Sequence, residues 1–521
     1  MTDTITIVPR PAHVQGRSGY FELTPTSRVL AAGPGAEAVA QLLADYLRPA
    51  TGYELPVTQG DAGQAGDLVL LARGEPAPDD AGFVPEAYTI DVGEHAKLES
   101  DSAAGVARAV QTLRQLMPAE VYADSVQQVA WRIPRLAIED TPRFRWRGLH
   151  LDVARHFFSV DDVCRFIELA AMHRYNTIHL HLTDDQGWRI EIKKHPKLTA
   201  IGSTRAGTMV GSARNRPWRS DHQPHGGYFT QEDIKTLVAF AARRHVTLVP
   251  EIDMPGHMQA AIAAYPDLGN TGQPLEPRCH WGISHNILNV EPGTIRFMQD
   301  VLDEVVGLFP SRFIHVGGDE APKQQWADSE RAQQRMAELG LASEDELQSW
   351  FIRQMEEHLQ SHGRRLIGWD EILEGGLAPG ATVMSWRGEK GGIAAAKQGH
   401  DVVMAPGHHV YFDHYQAEPT SEEPLAIGGM STTEHVYAYE PVPAALNADE
   451  ARHVLGAQGQ LWTEYIPTVR QLDYMTYPRA CALAEVLWRQ PAEKRYTDFL
   501  QRLATHRQRL AILNVNAHPR P

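Results

Sequence analysis

The sequence is short of cysteine. Its 521 residues hold three, Cys164, Cys279 and Cys481, far apart and odd in number. No C-x-x-C pair occurs, which argues against a disulfide framework and against a cysteine-built zinc site. A basic excess is missing too. Lys and Arg number 49 against 65 Asp and Glu, a formal charge of −16. With no cation surplus to displace counterions, broad binding to nucleic acid or an anionic membrane is not expected. No apolar run reaches the ~18 residues of a membrane span. The N-terminal MTDTITIVPRP has no basic segment followed by an apolar core. A cytoplasmic protein is therefore expected, with a secreted one whose signal has been trimmed as the alternative. A Gly-rich phosphate loop in a strand–turn–helix context and a nucleophilic Ser or Cys motif are absent as well.

What is present is an ordinary globular balance, 43% hydrophobic and 22% charged. A chain of this length buries roughly three-quarters of its unfolded surface and needs no staples. Residues 1–140 read as a small α/β unit. Helical spacing marks 36–47 and 103–117, and apolar strands mark 67–71 and 87–92. Pro-Arg pairs at Pro134 and Pro142 punctuate the chain, and the boundary is placed near residue 140.

From 141 to 521 the pattern becomes an alternation. Short apolar runs lie at 148–153, 177–182, 247–252, 313–317, 365–369, 382–386, 401–405 and 454–462. Amphipathic segments at 160–172, 231–244, 295–309 and 344–362 separate several of them. Strands alternating with helices imply parallel strands and right-handed crossovers. The expected fold is α/β, a (β/α)8 TIM barrel preceded by a small α/β N-terminal domain; an open doubly wound sheet is the rival.

A barrel places chemistry just past the C-terminal ends of its strands. Those ends read D-V-A-R-H-F-F, L-T-D-D-Q-G-W, E-I-D-M-P-G-H, G-G-D-E, G-W-D-E, S-W-R-G and L-W-T-E. Asp319 and Glu320 are adjacent, so on a regular strand they would face opposite ways. They converge only if the strand breaks, which Gly317 and Gly318 permit. The same pair before Ala321-Pro322 would also suit a helix N-terminus. Trp369, Trp386 and Trp462 end three separate strands. Their flat faces suit sugar rings, although a single Trp would more often be core. Carboxylates with aromatic walls point to a carbohydrate site. The segment 202–227, rich in Gly, Arg, Ser and Pro, follows the second strand and is expected as a long loop at the active face, a lid or a leaving-group wall.

The barrel region resembles family 20 of the glycoside hydrolases, the β-N-acetylhexosaminidases. The strings that carry the resemblance are L-D-V-A-R-H-F-F, H-L-H-L-T-D-D-Q-G-W-R, V-P-E-I-D-M-P-G-H, F-I-H-V-G-G-D-E-A, L-I-G-W-D-E, M-S-W-R-G, V-Y-F-D and L-W-T-E. Residues before Arg147 resemble the family's small N-terminal domain more weakly. The resemblance implies an exo-acting, retaining enzyme that removes terminal β-linked N-acetylglucosamine, with N-acetylgalactosamine left open, by substrate-assisted catalysis. It assigns the acid/base to Glu320, the acetamide-orienting carboxylate to Asp319 and an acetamide hydrogen bond to Tyr411. It assigns the pocket walls to Trp369, Trp386 and Trp462, and the sugar hydroxyls to Arg155, Asp413 and Glu464. Asp184 and His257 would tune Glu320. The implied partner is an oligosaccharide or glycoconjugate ending in N-acetylhexosamine, such as a chitin fragment, with no cofactor and no metal.

Taken singly, these residues have plainer readings: Arg155 as a surface ion pair, His257 as a cap after Pro255-Gly256, Tyr411 and Asp413 as neighbours on one strand face. Two other functions compete. His179 and His181 form an H-x-H, as in metal-dependent amidohydrolases. A degenerate barrel would bind sugar without cleaving it.

Overall fold

The computed structural model describes residues 5–521. Its N-terminal unit is a seven-stranded sheet of β1 (His13–Glu22), β2 (Val29–Ala32), β3 (Val57–Gln59), β4 (Leu68–Ala72), β5 (Tyr88–Val92), β6 (Ala96–Ser100) and β7 (Arg132–Asp140). The strand order is β1-β7-β5-β6-β4-β2-β3. Alternating burial along β5 and β6 marks a sheet covered on one face. The cover is two helices, Ala36–Thr51 and Ala103–Leu116. Ser102 starts the second by accepting the Gly105 N–H at 3.0 Å.

The second unit is a closed barrel of eight parallel strands: Trp146–Asp152, Thr177–His181, Thr247–Glu251, Phe313–His315, Arg365–Trp369, Thr382–Ser385, Val402–Met404 and Val454–Gly459. The eighth strand pairs with the first, Gly456 opposite Trp146 and Gly459 opposite Leu149, so the sheet has no edge. Helix starts are written locally. Ser159 with Asp162 and Thr230 with Asp233 form capping boxes at Val160–Met172 and Gln231–Ala242. An open sheet is ruled out by the closure. The expected long loop at 202–227 is partly ordered by two short antiparallel ladders, Thr204–Arg205 with His225–Gly226 and Met209–Val210 with Arg219–Ser220.

The interior of the barrel is unusual in carrying a polar cluster. His150, His179, His181, Glu251, His315 and Gln458 are all fully buried there. Buried polar groups persist only when paired; Glu251 pairs with His179, His181 and His315, and Gln458 with His179.

The N-terminal unit is bonded to the base of the barrel. Glu86 lies between Arg108 of its own unit, at 2.8 Å, and Arg147 of the first barrel strand, at 2.5 Å. Burial alone would raise the Glu86 carboxyl; the two guanidiniums offset it and hold it below the usual carboxylate range. At the end of β7, Asp140 receives Arg174 at 2.8 Å and the Trp488 indole N–H at 2.9 Å. No helix among the described residues is long and apolar enough to cross a membrane.

Candidate active site

The fourth barrel strand stops at His315, and the chain then turns through a left-handed corner. Gly317 has φ +66°, Gly318 +96° and Glu320 +46°. A Cβ at Gly317 would meet Asp253 Oδ1 at 1.7 Å, and one at Gly318 would meet the Ile372 side chain at 2.6 Å. Glycine is thus required by both φ and space. Asp253 Oδ1 accepts the Gly318 N–H at 3.2 Å and holds the corner. Burial, opposed by His257, pushes the Asp253 carboxyl up to about 8. The corner turns Asp319 and Glu320 into the same cavity, of about 360 Å³, at the C-terminal face of the barrel.

The residues that the family resemblance assigns to the site all line this cavity: Arg155, Asp184, His257, Asp319, Glu320, Trp369, Trp386, Tyr411, Asp413, Trp462 and Glu464. Arg155 is no surface residue. Its Nη2 lies 2.9 Å from Asp184, its Nη1 3.0 Å from Asp152 and 3.7 Å from Glu464, and its Nε donates to Gln186 at 3.0 Å. Tyr411 follows a helical turn and forms an isolated bridge with Gln460, after which the chain turns at Phe412 and Asp413.

The aromatic walls are fixed by buried acids. Trp386 and Tyr411 stack with rings 6.1 Å apart and 15° from parallel. The Trp386 indole N–H donates to Glu371 at 2.9 Å, and the Trp369 indole N–H donates to Glu251 at 2.8 Å. Glu371 lies inside the G-W-D-E string, where the sequence gives it no role of its own. Glu251 and Asp253, inside E-I-D-M-P-G-H, carry no distinguishing sequence signal either, beyond their place at a strand end.

From Glu251 a chain of charged contacts runs back to the carboxyl pair. His181 Nδ1 lies 2.5 Å from Glu251 and its Nε2 2.7 Å from Asp184. Asp184 Oδ1 lies 3.2 Å from His257 Nδ1, and His257 Nε2 lies 3.5 Å from Glu320 and 3.7 Å from Asp319. Burial works against charge on His181, but Glu251 first and then Asp184 raise it well above its ordinary value. Asp184 raises His257 in the same way, against burial. Both ring nitrogens of His181 are therefore engaged by carboxylates.

Several acceptors in the cavity lack a partner: Asp319 Oδ1, Asp413 Oδ1 and Glu464 Oε2 are buried without a hydrogen bond among the described residues. Burial, then the neighbouring Asp253 charge, pushes the Asp319 carboxyl well above its usual range. Burial and Glu464 do the same to Asp413. Burial and Asp319 take Glu371 up to about 9. Burial and Asp413 raise the Tyr411 phenol, so it stays a donor. Buried acceptors awaiting donors, between aromatic faces, are what a ligand rich in hydroxyl and amide N–H groups would complete.

The family model "Glycosyl hydrolase family 20, catalytic domain" matches residues 144–491, and "Glycosyl hydrolase family 20, domain 2" matches residues 4–141. The chain belongs to glycosyl hydrolase family 20. A Porphyromonas gingivalis "Beta-hexosaminidase" is 43% identical over 517 residues, 99% of this chain and 64% of that one. The chain thus spans just under two-thirds of that relative. A Cellulomonas fimi "Beta-N-acetylhexosaminidase" is 33% identical, covering 96% of this chain and 93% of its own. The family 20 β-N-acetylhexosaminidase structure from Streptomyces coelicolor superposes with TM-score 0.85 at 32% identity, covering 100% of this chain and 98% of that one. A mutant Streptomyces plicatus β-hexosaminidase solved in complex with its product, GlcNAc, superposes at 0.84 with 32% identity, over 100% and 97% of the two chains.

Proposed function

We propose that this family 20 hydrolase is an exo-acting, retaining β-N-acetylhexosaminidase. The observation that carries the reading is the convergence of adjacent Asp319 and Glu320 on one cavity walled by Trp369, Trp386, Tyr411 and Trp462. The names of the relatives above and the GlcNAc held by the Streptomyces plicatus mutant support it. A Vibrio harveyi relative named N,N'-diacetylchitobiase, 26% identical over 77% of this chain, supports chitin fragments as one substrate class.

In this reading the terminal sugar enters ring first. Arg155, Asp413 and Glu464 take its hydroxyls. The family resemblance implies a cavity that holds a single sugar, which makes the action exo. The acetamide lies between Trp369, Trp386 and Trp462. Asp319 accepts the acetamide N–H, and Tyr411 donates to the acetamide oxygen. That oxygen attacks the anomeric carbon of its own sugar while Glu320 gives its proton to the departing glycosidic oxygen. An oxazolinium ion and a free leaving alcohol result. Asp319 stabilises the positive charge. Glu320, now a carboxylate, removes a proton from water, which attacks the same carbon and reopens the ring with net retention. Holding the internal nucleophile in place can be worth ~7 kcal/mol or more.

The test is release of nitrophenol from the β-N-acetylglucosaminide and from the matching β-glucoside, with and without a chelator. Chelator-resistant cleavage confined to the acetamido sugar is expected. Comparable kcat/KM on both sugars would point to an enzyme nucleophile. Binding without turnover would point to a sugar-binding barrel.

A further inference from the structure

The chain carries a net charge of −16, yet segment 202–227 at the mouth of the cavity holds Arg205, Arg214, Arg216 and Arg219, with Asp221 its lone acid. Arg205 is buried and supports the scaffold, its Nη1 donating to the Arg155 carbonyl at 2.7 Å. Arg214 is different. It is exposed, it lines the cavity, and its guanidinium has no hydrogen-bond or ion-pair partner among the described residues.

Its placement is built from both sides. The Ala213 N–H donates to the Tyr465 hydroxyl at 2.9 Å, and the Trp218 indole N–H donates to the Ala213 carbonyl at 3.0 Å. Trp218 is itself set edge-on against His280, with ring centres 4.1 Å apart. Across the mouth stands Gly428, at φ +135°; a Cβ there would meet Arg214 Nη2 at 2.8 Å. The guanidinium therefore reaches the cavity over a position kept bare.

The remaining cationic groups of the cavity are otherwise engaged. Arg155 is shared among Asp152, Asp184 and Glu464. Arg155 and Arg479 oppose the upward shift of Asp413, and Arg155 opposes that of Glu464. A neutral sugar does not call for a second, unpaired guanidinium. The acidic lining of this cavity would repel an anion unless a cation stood at its mouth. Arginine's planar fork fits two oxygens of one oxyanion.

We propose that Arg214 is a specificity residue that recognises an anionic substituent on the substrate, a sulfate or phosphate ester or a carboxylate. The inference rests on the hexosaminidase reading and narrows its substrate class to acidic glycans. The anion has two possible carriers, the terminal sugar itself or the sugar that leaves.

The experiment compares kcat/KM on two matched pairs: nitrophenyl β-N-acetylglucosaminide with and without a 6-sulfate, and N-acetylglucosamine β-linked to glucuronic acid or to glucose. The enzymes are the wild type, Arg214→Gln and Arg214→Lys. In at least one pair, Arg214→Gln should lower the rate on the acidic member at least tenfold more than on the neutral one. Arg214→Lys should recover part of that difference. The sulfate pair responding places the anion on the terminal sugar; the uronate pair responding places it on the leaving sugar. Equal losses within both pairs would overturn the proposal. Calorimetric titration with N-acetylglucosamine and its 6-sulfate reads the same discrimination without turnover. Absence of cleavage of the neutral substrates would instead fall on the hexosaminidase reading.

Discussion

The Trp369 indole N–H donates to the Glu251 carboxylate across 2.8 Å in the barrel interior. Glu251 also contacts His181, the first link of the chain through Asp184 and His257 to Glu320. One buried anion therefore fixes a wall of the cavity and the electrostatics of the acid/base. Glu251→Gln should lower kcat at least tenfold, about 1.4 kcal/mol of barrel-borne stabilisation. With one anion removed, His181 would lose its proton at lower pH. The alkaline limb of the kcat/KM profile should then move to lower pH. A profile of unchanged shape would remove Glu251 from the chain.

Asp319 is raised by burial and by Asp253. An acetamide N–H and a developing cation would favour its anionic form. Activity should therefore rise with pH as this carboxyl loses its proton, and that limb should disappear in Asp319→Asn. Losing this electrostatic contact should lower kcat by roughly 10²–10³ with the fold intact by circular dichroism. A kcat near that of the wild type would take Asp319 out of the reaction.

Glu320 acts differently on different substrates. A nitrophenolate departs without a proton, whereas a sugar alkoxide needs one. Glu320→Gln should lose far more activity on chitobiose than on the nitrophenyl glycoside. Added azide should restore turnover of the latter by attacking the intermediate. Equal losses on both substrates would refute the acid role.

Glu86 joins the two units through Arg108 and Arg147. Its carboxyl is held below the usual range in the fold. Its contribution is therefore complete above the unfolded value of about 4.3 and is lost as pH falls through the lower folded value. Glu86→Gln leaves two buried guanidiniums short of a counter-ion, a cost of ~3–5 kcal/mol at pH 7. The Tm difference from the wild type should be large at pH 7 and should shrink as the medium is acidified below pH 4. A constant gap would mean that lost packing, rather than lost charge, sets the effect.

How far the sequence could be read depended on the kind of signal each part left. The barrel strand Arg365–Trp369 and the helix Val160–Met172 coincide with the expected spans, because apolar periodicity and caps define both. Strand β1 leaves no periodic signal, since most of its residues face solvent and only pairing with β7 makes it a strand. Strand β3 has three residues, too few for any period. At the site, residues just past apolar runs stood out, and the fold gathers them. What escaped notice acts through tertiary contact. Glu251 reads as the last residue of a strand, and its link to Trp369 spans 118 positions. Arg214 lies in a segment without periodicity, and its opposite number is a glycine.

The interlock of Gly317 with Asp253 has a consequence for the history of the site. The carboxylate of one occupies the space a side chain on the other would need. The same carboxylate holds the corner that presents Asp319 and Glu320. Neither position can drift alone: a lineage that gains a side chain at 317 must give up the acid at 253, and with it the corner. The two loops therefore work as a unit, and a graft of this catalytic pair onto another barrel would have to carry both.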